Sequence, residues 1–388
     1  MLIPIRYNLR SLVVRRATTL ATALGISLVV WVLASAMMLA EGVRRTLGSA
    51  GRADVAIVLR NGSDAELGST VEEQQVGLVL AMPGVRREGG QPIGAGETVV
   101  IIAAEKVGSA GVSNLQLRGI TEIGEKLRPT VKLQDGRRPT PGADEAMIGS
   151  KIRGRFKGIE LGQSFDIKKN RPIAIVGVFE DGGSAHESEV WVDGDIVRSS
   201  FGRGATVSSV RVKLDALESF DTFKTHVEQD KRLGLLAMRE TDYYEKASEG
   251  TGKFIRILGT LIAMCFALGA MIGASNTMYA SVANRRREIG VLRALGFSRL
   301  GILISFLFES VLLALLGGVI GVVAALGTGS LKFSVLNQST WSEMVFSFQP
   351  TPSIILGSLV AAAVVGILGG FLPAVRAARV SPLEALRG

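Results

Sequence analysis

The 388 residues hold a single cysteine, Cys265, and two histidines. One thiol inside an apolar run cannot close an intramolecular disulfide, so any domain outside that run must be held by an ordinary core. His186 and His226 stand forty residues apart with no second ligand at metal spacing, and they read as solvated surface side chains. No phosphate-binding loop is present. The nearest approach, Gly252-Lys253, has Ala247 where the first glycine belongs and Phe254 in place of Ser or Thr. Nor do the scattered polar residues assemble a nucleophile, a base and an orienting group.

Charge is missing from long stretches. Four runs, 17–40, 257–279, 300–328 and 353–375, exceed the roughly 18 apolar residues needed to cross a bilayer. Together they hold one charged residue, Glu309. With 47% hydrophobic content and a positive mean hydropathy, this is the composition of a membrane protein. The first run follows basic residues and contains Ala34-Ser35-Ala36, which resembles a cleavage site. Its 24 residues far exceed the core of a secretory signal, roughly 7 to 15 residues, so it reads as a retained transmembrane helix.

The formal charge of +9 is unevenly placed. Residues 1–16 carry four arginines and no acid, 281–300 carry five against Glu288, and 376–388 carry three against Glu384. The segment 41–256 balances 31 basic against 31 acidic residues. The excess therefore lies at the ends of the apolar runs, where the positive-inside rule puts both termini and the 281–300 loop in the cytoplasm. Segments 41–256 and 329–352 fall outside, the second read as a loop. No basic patch asks for nucleic acid; the partner implied by this pattern is the lipid bilayer.

Arg6 and Arg10, with Ile5, Leu9, Leu12 and Val13, fit an amphipathic cytoplasmic helix over 1–16 lying in the membrane interface, against the alternative of a frayed basic tail. The external segment changes texture to short β-rich runs between Gly, Pro and Asp. Strands are expected at 53–60, 98–104, 113–120, 144–149, 163–179, 189–193 and 207–214. Helices are expected at 69–82, ended by Met82-Pro83-Gly84, and at 215–232 with Asp215 as its cap. The fold class is thus a four-span α-helical membrane domain with a large mixed α/β domain, of one or two subdomains, inserted between the first and second spans. Residues 243–256 read as a helical stalk running straight into the second span, a rod that would transmit displacement where a Gly/Ser linker would absorb it.

Three spans carry small residues four apart: Gly269 with Gly273, Gly317 with Gly321, and Gly366 with Gly370, with Ala21 and Gly25 as a similar pair in the first. Such pairs let helix backbones approach closely, within or between subunits, although 47 glycines make chance matches common. Glu309 lies about two turns from the cytoplasmic end of its span, with Ser305 one turn away. An intramembrane carboxylate is a candidate proton, cation or substrate contact; so near the interface it also has an arginine or water within reach, and a structural role is favoured.

The stretch 284–299, NRRREIGVLRALGFSR, alternates charged and apolar residues at helical period, with Ile289, Leu292 and Leu295 or Gly296 on one side and Gly296 as the stop. It resembles the R-x-x-E-I-G-x-x-R-A-L-G motif of the MacB- and FtsX-type permease family of ABC transporters, matched at Arg285, Glu288, Ile289, Gly290, Arg293, Ala294, Leu295 and Gly296. Glu309 followed by Leu316-Gly317-Gly318 and Gly321 is similar to that family's third span, and 373–388 is similar to its C-terminus. Weaker likenesses to its periplasmic core lie at 135–149 and 171–179.

The resemblance implies a non-enzymatic permease subunit of the bacterial inner membrane, working as a dimer, homodimeric or with a second permease. A cytosolic ABC ATPase would grip Arg285, Arg286, Arg287, Glu288, Ile289, Gly290, Leu292, Arg293, Leu295 and Gly296. Only sixteen residues precede the first span, so ATP and magnesium are expected on a separate polypeptide and no cofactor on this chain. The implied function is export from the periplasm or outer leaflet, which would call on a periplasmic adaptor and an outer-membrane channel. The alternatives are LolC-like lipoprotein extraction and FtsX-like regulation of a cell-wall hydrolase. An external segment of about 215 residues favours the first two, since FtsX-type external domains are usually smaller.

Overall fold

The computed structural model describes residues 16–108, 111–330, 332–336 and 341–381. The amphipathic helix expected at the N-terminus, save Arg16, and the end of the C-terminal motif lie outside these residues.

The described residues open with helix α1 (Arg16–Gly48) and pass through β1 (Val55–Arg60), β2 (Val71–Glu72), α2 (Glu73–Ala81), β3 (Arg87–Glu88), β4 (Gln91–Pro92), β5 (Gly94–Glu105) and β6 (Val112–Ile120). Next come α3 (Glu122–Lys126), β7 (Lys132–Gly136), β8 (Glu145–Gly149), β9 (Ser164–Lys168), β10 (Arg171–Glu180), β11 (Glu189–Asp193), α4 (Gly194–Ser200), β12 (Thr206–Val207), β13 (Ser209–Lys213), α5 (Ser219–Gln229) and β14 (Leu235–Arg239). The remainder is α6 (Glu240–Asn284), α7 (Arg286–Ala294), α8 (Arg299–Gly327), β15 (Lys332–Leu336), β16 (Glu343–Ser347) and α9 (Pro352–Ala378). Two compact units result. One gathers the residues up to Glu41, Lys253–Leu331 and those from Ser347 onward; the other is Gly42–Gly252 with Lys332–Phe346.

The second unit is a mixed α/β domain on a ten-stranded sheet, ordered β14-β1-β13-β5-β6-β11-β8-β10-β7 with β9 beside β10. Pairing is antiparallel except for β6 with β11 and β8 with β10. Two apolar cores flank the middle of this sheet. One is built from Leu115, Leu117, Ile148, Ile173, Ile175 and Val190, the other from Val58, Val79, Val210, Val212, Phe223 and Leu235. The long strand β5 pairs with β13 on one side and β6 on the other and so joins the halves.

Several sequence expectations need correction. The run 163–179 is two strands, because Asn170 turns the chain at φ +62° and folds β10 back on β9. The helix expected at 215–232 begins at Ser219 with Glu218 as its cap, since Leu214 is still bridged to Val85 and the Asp215 N–H donates to the Gly84 carbonyl. The helix placed at 69–82 begins at Glu73, because Val71 and Glu72 pair with β12. The segment 329–352 is not a plain loop: β15 and β16 form a two-stranded sheet whose residues, up to Phe346, belong to the second unit. Glu343 anchors it there, accepting from Arg155 at 3.0 Å and Lys106 at 2.6 Å. β7, β14, α3 and α4 were not anticipated.

The helices α1, α6, α8 and α9 are long and apolar enough to cross a membrane. Ser298 and Thr351 cap α8 and α9 by accepting from the N–H groups of Gly301 and Ile354. The helices pack through glycine. A Cβ on Gly317 or Gly321 would meet the backbone carbonyls of Ala23 or Ser27 in α1 at 2.6 and 2.5 Å, and one on Gly366 would meet Ala314 of α8 at 2.5 Å. Around these contacts Ile26, Val30, Leu313, Ala314, Ala362 and Val365 form an apolar core. Gly25, Gly269 and Gly273 differ, having nothing within 4 Å of an added Cβ.

Candidate functional site

The charged stretch folds as α7, a nine-residue helix between α6 and α8. Arg285, with φ −106° and ψ 14°, breaks the helical run, and its N–H donates to the carbonyls of Ser281 and Val282 that end α6. Gly296 closes the other end at φ +91°, a conformation only glycine adopts without strain. Ile289 is buried against Met278, Val282, Ile302, Phe306 and Ala377, and buried Gly290 follows it.

The polar residues divide sharply. Arg285 is buried, and its Nη1 donates to Glu309 Oε2 at 3.0 Å while its Nε donates to Glu288 Oε2 at 3.3 Å. Its guanidinium also stands 5.4 Å from the Phe306 ring centroid. Glu309, buried on α8, is thereby tied to the start of α7. Arg286, Arg287 and Glu288 are exposed, as are the apolar Val291 and Leu295. Leu295 was expected on the apolar side with Ile289 and Leu292; instead it is 70% exposed, because the helix ends at Ala294 and the chain turns at Gly296. Leu292 is half-buried. Arg293 is half-buried too, its Nη1 donating to the Phe297 carbonyl at 3.0 Å. What α7 offers to a partner is therefore a mixed surface of two arginines, one glutamate and two aliphatic side chains.

Of the glycine pairs, Gly317/Gly321 and Gly366/Gly370 are filled by neighbouring helices of the same chain. Gly269 and Gly273 instead line an open groove between α1 and α6 with Ala21, Thr22, Gly25 and Thr277.

A second charged centre lies inside the external unit and was not foreseen. Arg118 on β6 and Arg211 on β13, both fully buried, each bind Glu66 and Glu97. Arg118 also binds Glu189 at 2.7 Å, Arg211 binds Glu240 at 2.8 Å, and Arg128 binds Glu97 at 2.6 Å. Burial alone would raise the Glu97 carboxyl, but Arg128, Arg211 and Arg118 outweigh it and hold the group at about 2. Glu66 and Glu189 are likewise lowered against the effect of burial, Glu66 by Arg118 and Arg211 and Glu189 by Arg118. Glu240 is the first residue of α6, and the backbone of Gly51 approaches its carbonyl so closely that a Cβ there would lie 2.8 Å away. The chain leaving α1 and the chain entering α6 thus meet beside the network. His186, read from sequence as a surface residue, is 1% exposed, with Nδ1 2.8 Å from Asp181 and Nε2 3.1 Å from the Tyr244 hydroxyl. His226 is exposed. The signal that could have found the network is a charge on the buried phase of an otherwise apolar strand: Glu97 before VVII, Arg118 in LQLRGI, Glu189 in EVWV and Arg211 in VRVK.

The FtsX-like permease C-terminal family model matches residues 260–382, and the MacB-like periplasmic core domain model matches 19–230. The macrolide export ATP-binding/permease protein MacB of Hahella chejuensis is 33% identical over 261 residues, covering 63% of this chain and 38% of that protein. The uncharacterized ABC transporter permease YknZ of Bacillus subtilis is 32% identical over 228 residues, covering 56% of this chain and 54% of that protein. The chain spans about half or less of the length of these curated relatives. Among solved structures, the extracellular domain of the noncanonic ABC-type transporter YknZ from Gram-positive bacteria aligns at 18% identity and TM-score 0.36, covering 47% of this chain and 99% of that one. The periplasmic region of MacB from Actinobacillus actinomycetemcomitans aligns at 13% identity and TM-score 0.37, covering 50% and 92%.

Proposed function

This chain belongs to the MacB- and FtsX-type permease family of ABC transporters, and from that premise we propose that it converts ATP-driven closure of a separate cytosolic ATPase into movement of its external domain. The observation that carries the reading is α7, a short helix between two apolar helices, anchored inward by Ile289 and exposing Arg286, Arg287, Glu288, Val291 and Leu295. A surface of that composition suits a protein partner better than a lipid face, because it mixes both signs of charge with aliphatic contacts. In this reading hydrolysis, with its ATP and magnesium, belongs to a partner ATPase, and no phosphate-binding loop lies within these 388 residues. Both termini are cytoplasmic in this reading, by the distribution of arginine. The path outward is covalent: α6 is one helix from Glu240 to Asn284, its first turns bound into the ionic network by Glu240 and its last followed directly by α7.

The substrate is taken from the periplasm or the outer leaflet. The MacB relatives are described as macrolide exporters, and efflux of a small amphiphile through a periplasmic adaptor and an outer-membrane channel is the form of export adopted here. The open groove of Gly25, Gly269 and Gly273 is assigned to a second permease subunit, since a Cβ added at any of the three would meet nothing within 4 Å among the described residues.

A mild-detergent pull-down of the tagged chain, with ATPase activity assayed, tests the reading. An ABC ATPase at one per permease chain is expected with the native sequence, and its loss from Leu295→Asp at unchanged thermal stability. Recovery of no ATPase under several conditions would remove the coupling role of α7. Recovery of the ATPase with a cell-wall hydrolase would move the protein to the regulatory class.

A further inference from the structure

The C-terminal ends of α6 and α9 enclose a cationic cavity of about 560 Å³. Above it the two helices are tightly joined: Ser275 Oγ donates to the Gly369 carbonyl at 2.6 Å, and a Cβ on Gly369 would meet Ala274 at 3.2 Å. Beyond that contact they part, and the space is lined by Tyr279, Val282, Arg286, Arg376, Arg379 and Val380. Among the described residues that line it there is no carboxylate. The site rests on Arg376 and Arg379, and the guanidinium of Arg376 stands 5.6 Å from the centroid of the Tyr279 ring.

We propose that this cavity is a phosphodiester site, occupied by the headgroup of an anionic phospholipid. Guanidinium groups bind phosphate oxygens in pairs, and basic pockets between helices at a membrane surface are where anionic headgroups settle. The approach to the cavity is apolar on both helices. Leu368 and Leu372, 58% and 62% exposed, precede Arg376 by two turns and one turn on the same face of α9. Ile272, 64% exposed, stands seven residues before Tyr279 on α6. A lipid can lay its chains along these side chains while its phosphate reaches the arginines; a soluble phosphate would make no use of them. The inference goes beyond the transport reading and does not depend on which ATPase or cargo is involved.

The test uses the full chain, delipidated in neutral detergent, titrated with phosphatidylglycerol, phosphatidylcholine or inorganic phosphate. Native mass spectrometry reads bound lipid and thermal unfolding reads the shift in midpoint. Phosphatidylglycerol is expected to bind and raise the midpoint, phosphatidylcholine to do neither, and inorganic phosphate to leave the midpoint unchanged. The double change Arg376→Gln with Arg379→Gln should weaken phosphatidylglycerol roughly thirtyfold. Arg299→Gln, which removes an exposed charge from the same cytosolic loop but not from the cavity, should leave it intact. If the double variant does not fold, Arg379→Gln alone and Arg379→Lys replace it, the first weakening binding and the second keeping most of it. Equal binding of both lipids, equal weakening by Arg299→Gln, or an inorganic phosphate shift matching that of phosphatidylglycerol would each overturn the proposal.

Discussion

Pro373 has no N–H to give to the Gly369 carbonyl one turn before it in α9, and Ser275 of α6 gives a hydroxyl to that carbonyl instead, at 2.6 Å. A residue that ordinarily weakens a helix is thus used to join two. Membrane helices tolerate proline where a neighbour satisfies the freed carbonyl, and here the neighbour is one named side chain.

The pair can be tested by a double-mutant cycle. Ser275→Ala should lower stability by about 1–3 kcal/mol by leaving a buried carbonyl without its donor. With Pro373→Ala already present, the helix supplies its own N–H, and the same serine change should cost much less. Thermal unfolding of the four proteins in one detergent checks this; additive costs would mean the hydroxyl and the proline act independently.

Arg285 and Glu309 form a buried pair across 24 residues of sequence. Removing one partner of such a pair costs about 3–5 kcal/mol, whereas an apolar replacement of both is often neutral. Glu309→Ala should therefore destabilise the protein strongly, and Arg285→Met with Glu309→Leu should recover most of the loss. Transport by the double variant separates the roles: activity kept at restored stability marks Glu309 as structural, and activity lost at restored stability marks it as a functional carboxylate.

The membrane helices were legible because run length and the absence of charge are local properties, and α7 was legible because helical period and a terminating glycine lie within sixteen residues. The position of Leu295 was not, since its exposure depends on where the chain turns after Ala294. The ionic network was missed for another reason: a charge within an apolar strand marks Glu97, Arg118, Glu189 and Arg211 only one at a time, and sheet order, not sequence order, brings them together with Glu66 and Glu240. His186 was misread on the same ground, its partner Tyr244 being 58 residues away.

That network gives the external domain an acid limit. Glu66, Glu97 and Glu189 titrate lower when folded than their ordinary value of 4.5, so each binds protons more readily unfolded. Their contribution is present above the ordinary carboxyl value and is lost as pH falls through each lowered folded value, which for Glu97 is about 2; for Glu97 alone it is on the order of 3 kcal/mol. Denaturation midpoints should be flat from pH 7 to 5 and fall steeply below 4.5. Trp191, whose Nε1 donates to Glu189 at 2.8 Å, reports the transition by fluorescence in a Trp31→Phe, Trp341→Phe background. A midpoint unchanged down to pH 3 would show that the carboxylates are not held in this way.

The glycines separate helix packing from subunit packing. Gly321→Val places a Cβ 2.5 Å from the Ser27 carbonyl, and because that atom is backbone it cannot rotate aside, so the helices must part at a cost of about 1–3 kcal/mol or more. The Cβ of Gly273→Leu meets nothing within 4 Å among the described residues, and the change should leave unfolding of the single subunit within about 0.5 kcal/mol of the native value. If the groove between α1 and α6 receives a second subunit, the same leucine should shift the protein from dimer to monomer in detergent, as read by light scattering. Gly321→Val should act the other way round, lowering stability before it changes assembly. A dimer that survives Gly273→Leu unchanged would move the interface to another face, because a helix surface packed closely through glycine cannot accept four added carbons without separating.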